Sequence, residues 1–169
     1  MPTLITMSEK PNGDVWVWIT TEEGPRTVNL TTQLSCDGNM HDLLSRHAGL
    51  YAFWAAVRAR LEAEKDQEEA ALDRVSGEIS ELLRLETKAE GIAATAADKV
   101  VKNRLEQSPR YQEAVEAANS AKSRARIGLY IVQAFEHRRD TLIQLAISER
   151  RESDNESAVA KGRAIGMRG

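Results

Sequence analysis

The sequence predicts a mainly α fold: a long antiparallel, coiled-coil-like helical hairpin with a short connecting helix and a small N-terminal β-hairpin, assembled into an oligomer. Three observations predict it. Proline-free helical periodicity runs for about fifty residues after Asn39, a second long periodic stretch follows Ser108-Pro109, and β-branched and aromatic runs flank a Gly-Pro turn near the N-terminus. A length of 169 residues suits one domain or one domain with an appendage. The expected divisions are a β-hairpin region over 1–38, a helical hairpin domain over 39–152 and a flexible tail over 153–169.

The first element is read from Asp14-Val-Trp-Val-Trp-Ile-Thr20 and Arg26-Thr-Val-Asn-Leu-Thr-Thr32, joined through Gly24-Pro25. Period-two alternation puts Val15, Val17 and Ile19 on one face and Trp16 and Trp18 on the other. Leu4 to Met7 adds a third short strand across the Pro11-Asn12-Gly13 turn. A sheet this small needs something to pack on.

The first long helix starts at an N-cap, Asn39, with Asp42 at N3, and ends near Gly91. Leu50, Trp54, Val57 and Leu61 form one apolar stripe, and Leu72, Val75, Ile79 and Leu82 a second. Between them the acidic stretch 62–69 has almost no apolar seam, so it spans solvent or meets partner charges. A connecting helix follows, for which Thr95 and Asp98 have capping-box spacing. The last helix restarts at Ser108-Pro109, with Ser at the cap and Pro at the first helical position. Its seam, Ala114, Ala118, Ala121, Ala125, Gly128, Val132 and Phe135, advances by alternating fours and threes. The small first half allows close helix approach, and Ile131, Val132, Phe135, Leu142 and Leu145 make the second half bulkier. At ~1.5 Å per residue the two long helices run roughly 65 to 75 Å. Trp54, Phe53, Tyr51, Phe135, Tyr130, Ile127 and Ile131 exceed what a two-helix seam covers, which calls for the sheet or other subunits, with oligomerisation favoured.

Charge and composition narrow the function. The net charge of −3 conceals an asymmetry: residues 1–90 sum to −7, whereas residues 91–151 carry eleven basic and seven acidic side chains. No eighteen-residue apolar run and no signal-peptide layout is present, which predicts a cytoplasmic protein without a membrane partner. The one cysteine, Cys36, forms no internal disulfide and no thiolate metal cluster. His41 and His47 near Cys36 lie on different helix faces and match no metal or nucleophile motif. No phosphate-cradling glycine loop, Gly-x-Ser-x-Gly or His-Glu-x-x-His occurs, so no catalytic residue, metal or cofactor is expected.

The cationic residues are the better functional signal, because phosphate binding needs only cations along a surface, repeated by symmetry. Lys99, Lys102, Arg104 and Arg110 surround the helical corner without an obvious internal partner. Lys122, Arg124 and Arg126 group on the last helix, where they either bind phosphate or neutralise the acidic stretch 62–69, which falls level with them when the helices fold back. Arg138-Arg139 and Arg150-Arg151 either bind DNA or complement a helix C-terminus. Trp16 and Trp18 are either a base-stacking platform or packing residues.

Tyr51-Ala-Phe-Trp54 opening a long charged helix, Arg84 and Lys88 near its end, Thr95-Ala-Ala-Asp-Lys-Val, Tyr111 with Ala114, and Arg138-Arg139-Asp-Thr-Leu-Ile-Gln-Leu145 form an ordered series over residues 41–152. In these features the chain resembles the UvsY-like family of phage recombination mediators. The resemblance implies a ring-forming homo-oligomer that binds single-stranded DNA and a recombinase. It implies help in displacing single-strand-binding protein, so nucleating the filament used in DNA recombination, replication and repair in the host cytoplasm. Carried over by position, DNA contact falls on Arg84 and Lys88, then Lys99 and Lys102. The stretch Leu83-Arg84-Leu85-Glu86-Thr87-Lys88 departs from the family pattern: it is less basic and lacks an aromatic pair. The N-terminal hairpin has no counterpart in the family. The competing expectation is a non-enzymatic structural or adaptor protein of a phage.

Overall fold

The computed structural model describes residues 5–21 and 24–166, with side chains for all of these except 21, 94, 158 and 160–166. Leu4, the turn residues Glu22 and Glu23, and the last three residues of the expected tail lie outside them. The chain is mainly helical, with a three-stranded antiparallel sheet at its N-terminus. Strands β1 (Ile5–Glu9), β2 (Val15–Thr21) and β3 (Gly24–Asn29) lie in sequence order. Val17 faces Met7 on one side and Val28 on the other, and Trp18 faces Thr6 and Thr27. The alternation then sorts the faces as the sequence suggests, with Ile5, Val17 and Ile19 buried and Trp18 exposed.

The second run ends as strand at Asn29, three residues short of Thr32. There the Asn29 Oδ1 accepts from the Thr32 backbone N at 3.0 Å and caps a five-residue helix, α1 (Leu30–Leu34). An Asn side chain offers the backbone a local alternative to the sheet ladder, and here that alternative prevails. Thr31 Oγ1 also accepts the Val15 N–H at 2.9 Å.

Helix α2 (Met40–Ala89) starts at Asn39, whose side chain accepts from the backbone N of His41 and Asp42. It ends in a Schellman motif: Ile92 N donates to Thr87 O at 3.0 Å and Gly91 N to Lys88 O at 3.2 Å, with Gly91 at φ +72°. A glycine suits that left-handed position because a Cβ would be strained there. Helix α3 (Ala94–Gln107) begins two residues earlier than a box from Thr95 to Asp98 requires. Its N-cap is Ala93, with no side-chain capping bond, so Thr95 sits inside the first turn. Helix α4 (Pro109–Gly166) opens at Pro109 as expected and continues well past residue 152, so residues 153–166 are helical and no irregular segment replaces the helix there. No proline interrupts this stretch, and Gly162 and Gly166 are the residues in it that disfavour helix most. At ~1.5 Å per residue α4 therefore runs roughly 85 Å, longer than the seam alone indicates. Among the described residues no helix is long and apolar enough to cross a membrane.

Contacts between α2 and α4 step up one helix while stepping down the other: His47 meets Arg138, Tyr51 meets Glu136, Leu61 meets Gly128 and Glu78 meets Arg110. The helices are therefore antiparallel neighbours. Of the seven seam residues, Ala118, Ala121, Ala125, Gly128, Val132 and Phe135 are buried and Ala114 is half-buried. One core cluster joins Ile5, Val17, Ile19 and Leu30 to Trp54, Val57, Leu61, Ile131, Val132 and Phe135. The sheet thus covers within the chain much of the aromatic excess that a two-helix seam leaves open. Trp54 stacks on Phe135 with ring centroids 6.4 Å apart and donates Nε1–H to Gln33 Oε1 at 3.0 Å. The apolar load is concentrated at this end: Leu82 and Leu85, toward the other end of α2, are 58% and 67% exposed.

Candidate nucleic-acid interface

The cations singled out by the sequence fall into three settings. The first is the corner where α2 passes into α3. Contrary to the sequence expectation, several corner cations have internal partners. The Arg104 guanidinium grips Glu90 through two hydrogen bonds, at 2.9 and 2.8 Å. Arg104 holds the Glu90 carboxyl below the ordinary glutamate range, chiefly through that hydrogen bonding. Arg110 reaches back across the corner to Glu78 at 2.6 Å, and Lys102 lies 4.0 Å from Glu106 one turn on. These partners escape a reading of the sequence because Arg110 and Glu78 are 32 residues apart and meet only when α4 returns along α2. Arg84, Lys88 and Lys99 differ: all three are exposed and form no ion pair within 4 Å among the described residues.

The second setting is a groove between the middles of α2 and α4, about 310 Å³ in volume, lined by Arg58, Glu62, Lys65 and Glu69 from α2 and by Lys122 and Arg126 from α4. The expected levelling of the acidic stretch with Lys122 and Arg126 therefore occurs, with Glu62 and Glu69 lining the same groove, although Lys122 and Arg126 form no ion pair within 4 Å among the described residues. The Glu62 carboxylate is instead engaged by Lys65, which also lies 3.3 Å from Asp66. The Glu62 contact is the largest influence on Lys65 and holds its ammonium above the ordinary lysine range. Arg124 is placed differently from its neighbours. It is half-buried, its Nη1 donates to Ser120 Oγ at 2.8 Å, and its Nε is buried without a hydrogen-bond partner.

The third setting concerns Arg138 and Arg139, read from sequence as a basic helix end. Arg138 is buried and turned into the fold: Nε and Nη2 donate to Ser35 O at 3.2 and 3.1 Å, and Nη1 lies 3.0 Å from His47 Nδ1. A guanidinium only donates, so His47 Nδ1 accepts and the neutral imidazole carries its proton on Nε2. Burial, then the charges of Arg138 and Arg139, push the His47 pKa below its ordinary value. Arg139 is held by Asp140 at 2.9 Å. The sequence carried one signal for this cluster, a histidine three residues ahead of the first apolar stripe of α2, and no local pattern announces that Arg138 faces it.

On the outer face of the sheet, Trp16 is half-buried with Lys10 Nζ 4.4 Å from its ring centroid, and its Nε1 is buried without a partner. His41 is exposed at the start of α2, away from the buried His47. No group of three or more His, Cys, Asp or Glu side chains that could hold a metal occurs among the described residues.

No protein family, curated protein or solved structure matches this chain.

Proposed function

We propose that this chain is a non-enzymatic recombination mediator of the UvsY-like type. It binds single-stranded DNA, recruits a recombinase and promotes its loading in place of single-strand-binding protein. One observation carries the reading: Arg84, Lys88 and Lys99 stand exposed at the end of α2 and on α3 without a carboxylate partner among the described residues. Cations left unneutralised in an acidic protein are what a flexible polyanion can use, because each phosphate contact releases counterions. Lys122 and Arg126 add a second cationic stretch in the groove. In this reading α2 and α4 form a coiled-coil hairpin whose outer faces assemble into a homo-oligomeric ring, and symmetry multiplies a few weak contacts into one firm grip.

Replacing Arg84, Lys88, Lys99 and Lys102 together by alanine tests the assignment. The expected result is weaker oligonucleotide binding with a flatter salt dependence at unchanged oligomer mass by light scattering. Binding at full strength removes the corner from the interface.

A phage structural or adaptor protein is the second reading, favoured by the pairing of Arg104 with Glu90 and Arg110 with Glu78 and by the exposed Leu82 and Leu85. In that case the corner is built to hold the helices and to meet another protein.

A further inference from the structure

We infer that the groove between α2 and α4 is a second contact for unpaired DNA, in which Arg58, Lys122 and Arg126 hold phosphates while Tyr130, on the exposed face of α4 just outside the groove, stacks against a base. This deepens the mediator reading and rests on it. Lys122, Arg126 and Tyr130 are successive steps of four along α4, so they rise one turn at a time while rotating about 40° per step, from Lys122 and Arg126 in the groove lining to Tyr130 outside it. All three are exposed, Tyr130 by 60%. The seam residues Gly128, Val132 and Phe135 turn the other way, into the protein.

Gly128 brings Arg58 to this face. A Cβ at Gly128 would lie 2.9 Å from Leu61 Cδ1 and 3.4 Å from Arg58 Cα, so the absence of a side chain lets α2 close on α4 at this level. Arg58 then lines the same groove as Lys122 and Arg126, and none of the three forms an ion pair within 4 Å among the described residues. Counting all lining charges, four cations face two carboxylates, and Lys65 already engages one of the two. A groove of cations with an open aromatic ring just outside it suits a strand with a charged backbone and unpaired bases, since the ring accepts any base without sequence preference. A paired duplex keeps its base faces stacked internally and gains nothing from Tyr130.

The test is fluorescence anisotropy of the full-length protein with a fluorescein-labelled oligodeoxythymidylate and, in parallel, with base-free inorganic polyphosphate as competitor. Tyr130→Ala is expected to weaken oligonucleotide binding roughly tenfold and to leave polyphosphate competition unchanged, whereas Tyr130→Phe, which keeps the ring, binds as the parent does. The triple variant Arg58→Ala, Lys122→Ala, Arg126→Ala is expected to weaken both and to reduce the salt slope by about 2. Circular dichroism at parental helix content accompanies each variant. Parental affinity in Tyr130→Ala, or equal losses in Tyr130→Ala and Tyr130→Phe, overturns the stacking contact. Loss of binding in the corner variant alone overturns the groove and leaves the mediator reading standing. An unmodified protein that binds no oligonucleotide removes both.

Discussion

Arg138 is the residue whose surroundings say most about how this chain is held together. Its guanidinium satisfies Ser35 O and His47 Nδ1, linking the segment after α1 to both long helices. Arg138→Ala leaves two acceptors without their donor, which is expected to cost about 2 to 4 kcal/mol in urea unfolding. The same cluster sets a pH dependence. Because the folded-state pKa of His47 lies below its ordinary value near 6.5, protons bind the unfolded chain more tightly. Stability is therefore full above pH ~6.5 and falls as pH drops through that value toward the lowered one. The cationic neighbours Arg138 and Arg139 act in this direction, and the nearby carboxylate of Glu136 is engaged by the Tyr51 hydroxyl at 3.2 Å. His47→Gln, which keeps an acceptor and loses the titration, is expected to flatten the unfolding free energy between pH 7 and 5. An unaltered slope in that variant assigns the dependence to another group.

Among the elements, α2 and α4 contain three glycines whose substitutions separate packing from propensity. Gly49 and Gly77 of α2 have nothing within 4 Å of an added Cβ, so Gly77→Ala is expected to stabilise by up to about 1 kcal/mol. Gly128→Ala gains the same propensity but drives a Cβ to 2.9 Å from Leu61 Cδ1, on a side chain only 1% exposed, and to 3.4 Å from the Arg58 backbone. The net is expected to be a loss of about 1 to 2 kcal/mol, read as a lowered urea midpoint. These opposite signs follow from the register of α2 on α4. That register was legible in the sequence where apolar residues mark it: the seam from Ala118 to Phe135 and the cap at Asn39 lie where periodicity and capping chemistry put them. Less was legible where contacts are long-range. Arg110 with Glu78 and Arg138 with His47 are pairs 32 and 91 residues apart, and no spacing rule connects them. The continuation of α4 to Gly166 is not legible for another reason: a polar stretch without an apolar stripe has no periodicity to read, yet it holds no proline to forbid the helix.

For the whole molecule, the central question is whether cations scattered over an acidic chain hold a polyanion. The structure divides the nine candidates unevenly. Arg84, Lys88, Lys99, Lys122 and Arg126 face solvent without ion pairs among the described residues, whereas Arg104, Arg110 and Lys102 lie beside carboxylates and Arg124 is half-buried. Sequence composition identified the basic residues, but only the fold separates the engaged from the available. Exposed ion pairs of this kind are weak and screened by salt, so the paired members still respond to a strong competitor such as a phosphate backbone. The most direct measurement is a salt titration of equilibrium binding to a single-stranded oligonucleotide and to its duplex, followed by fluorescence anisotropy. The account predicts tighter binding to the single strand, with log affinity falling linearly against log salt concentration at a slope of several units. Equal, weak association with both forms at every salt concentration contradicts it.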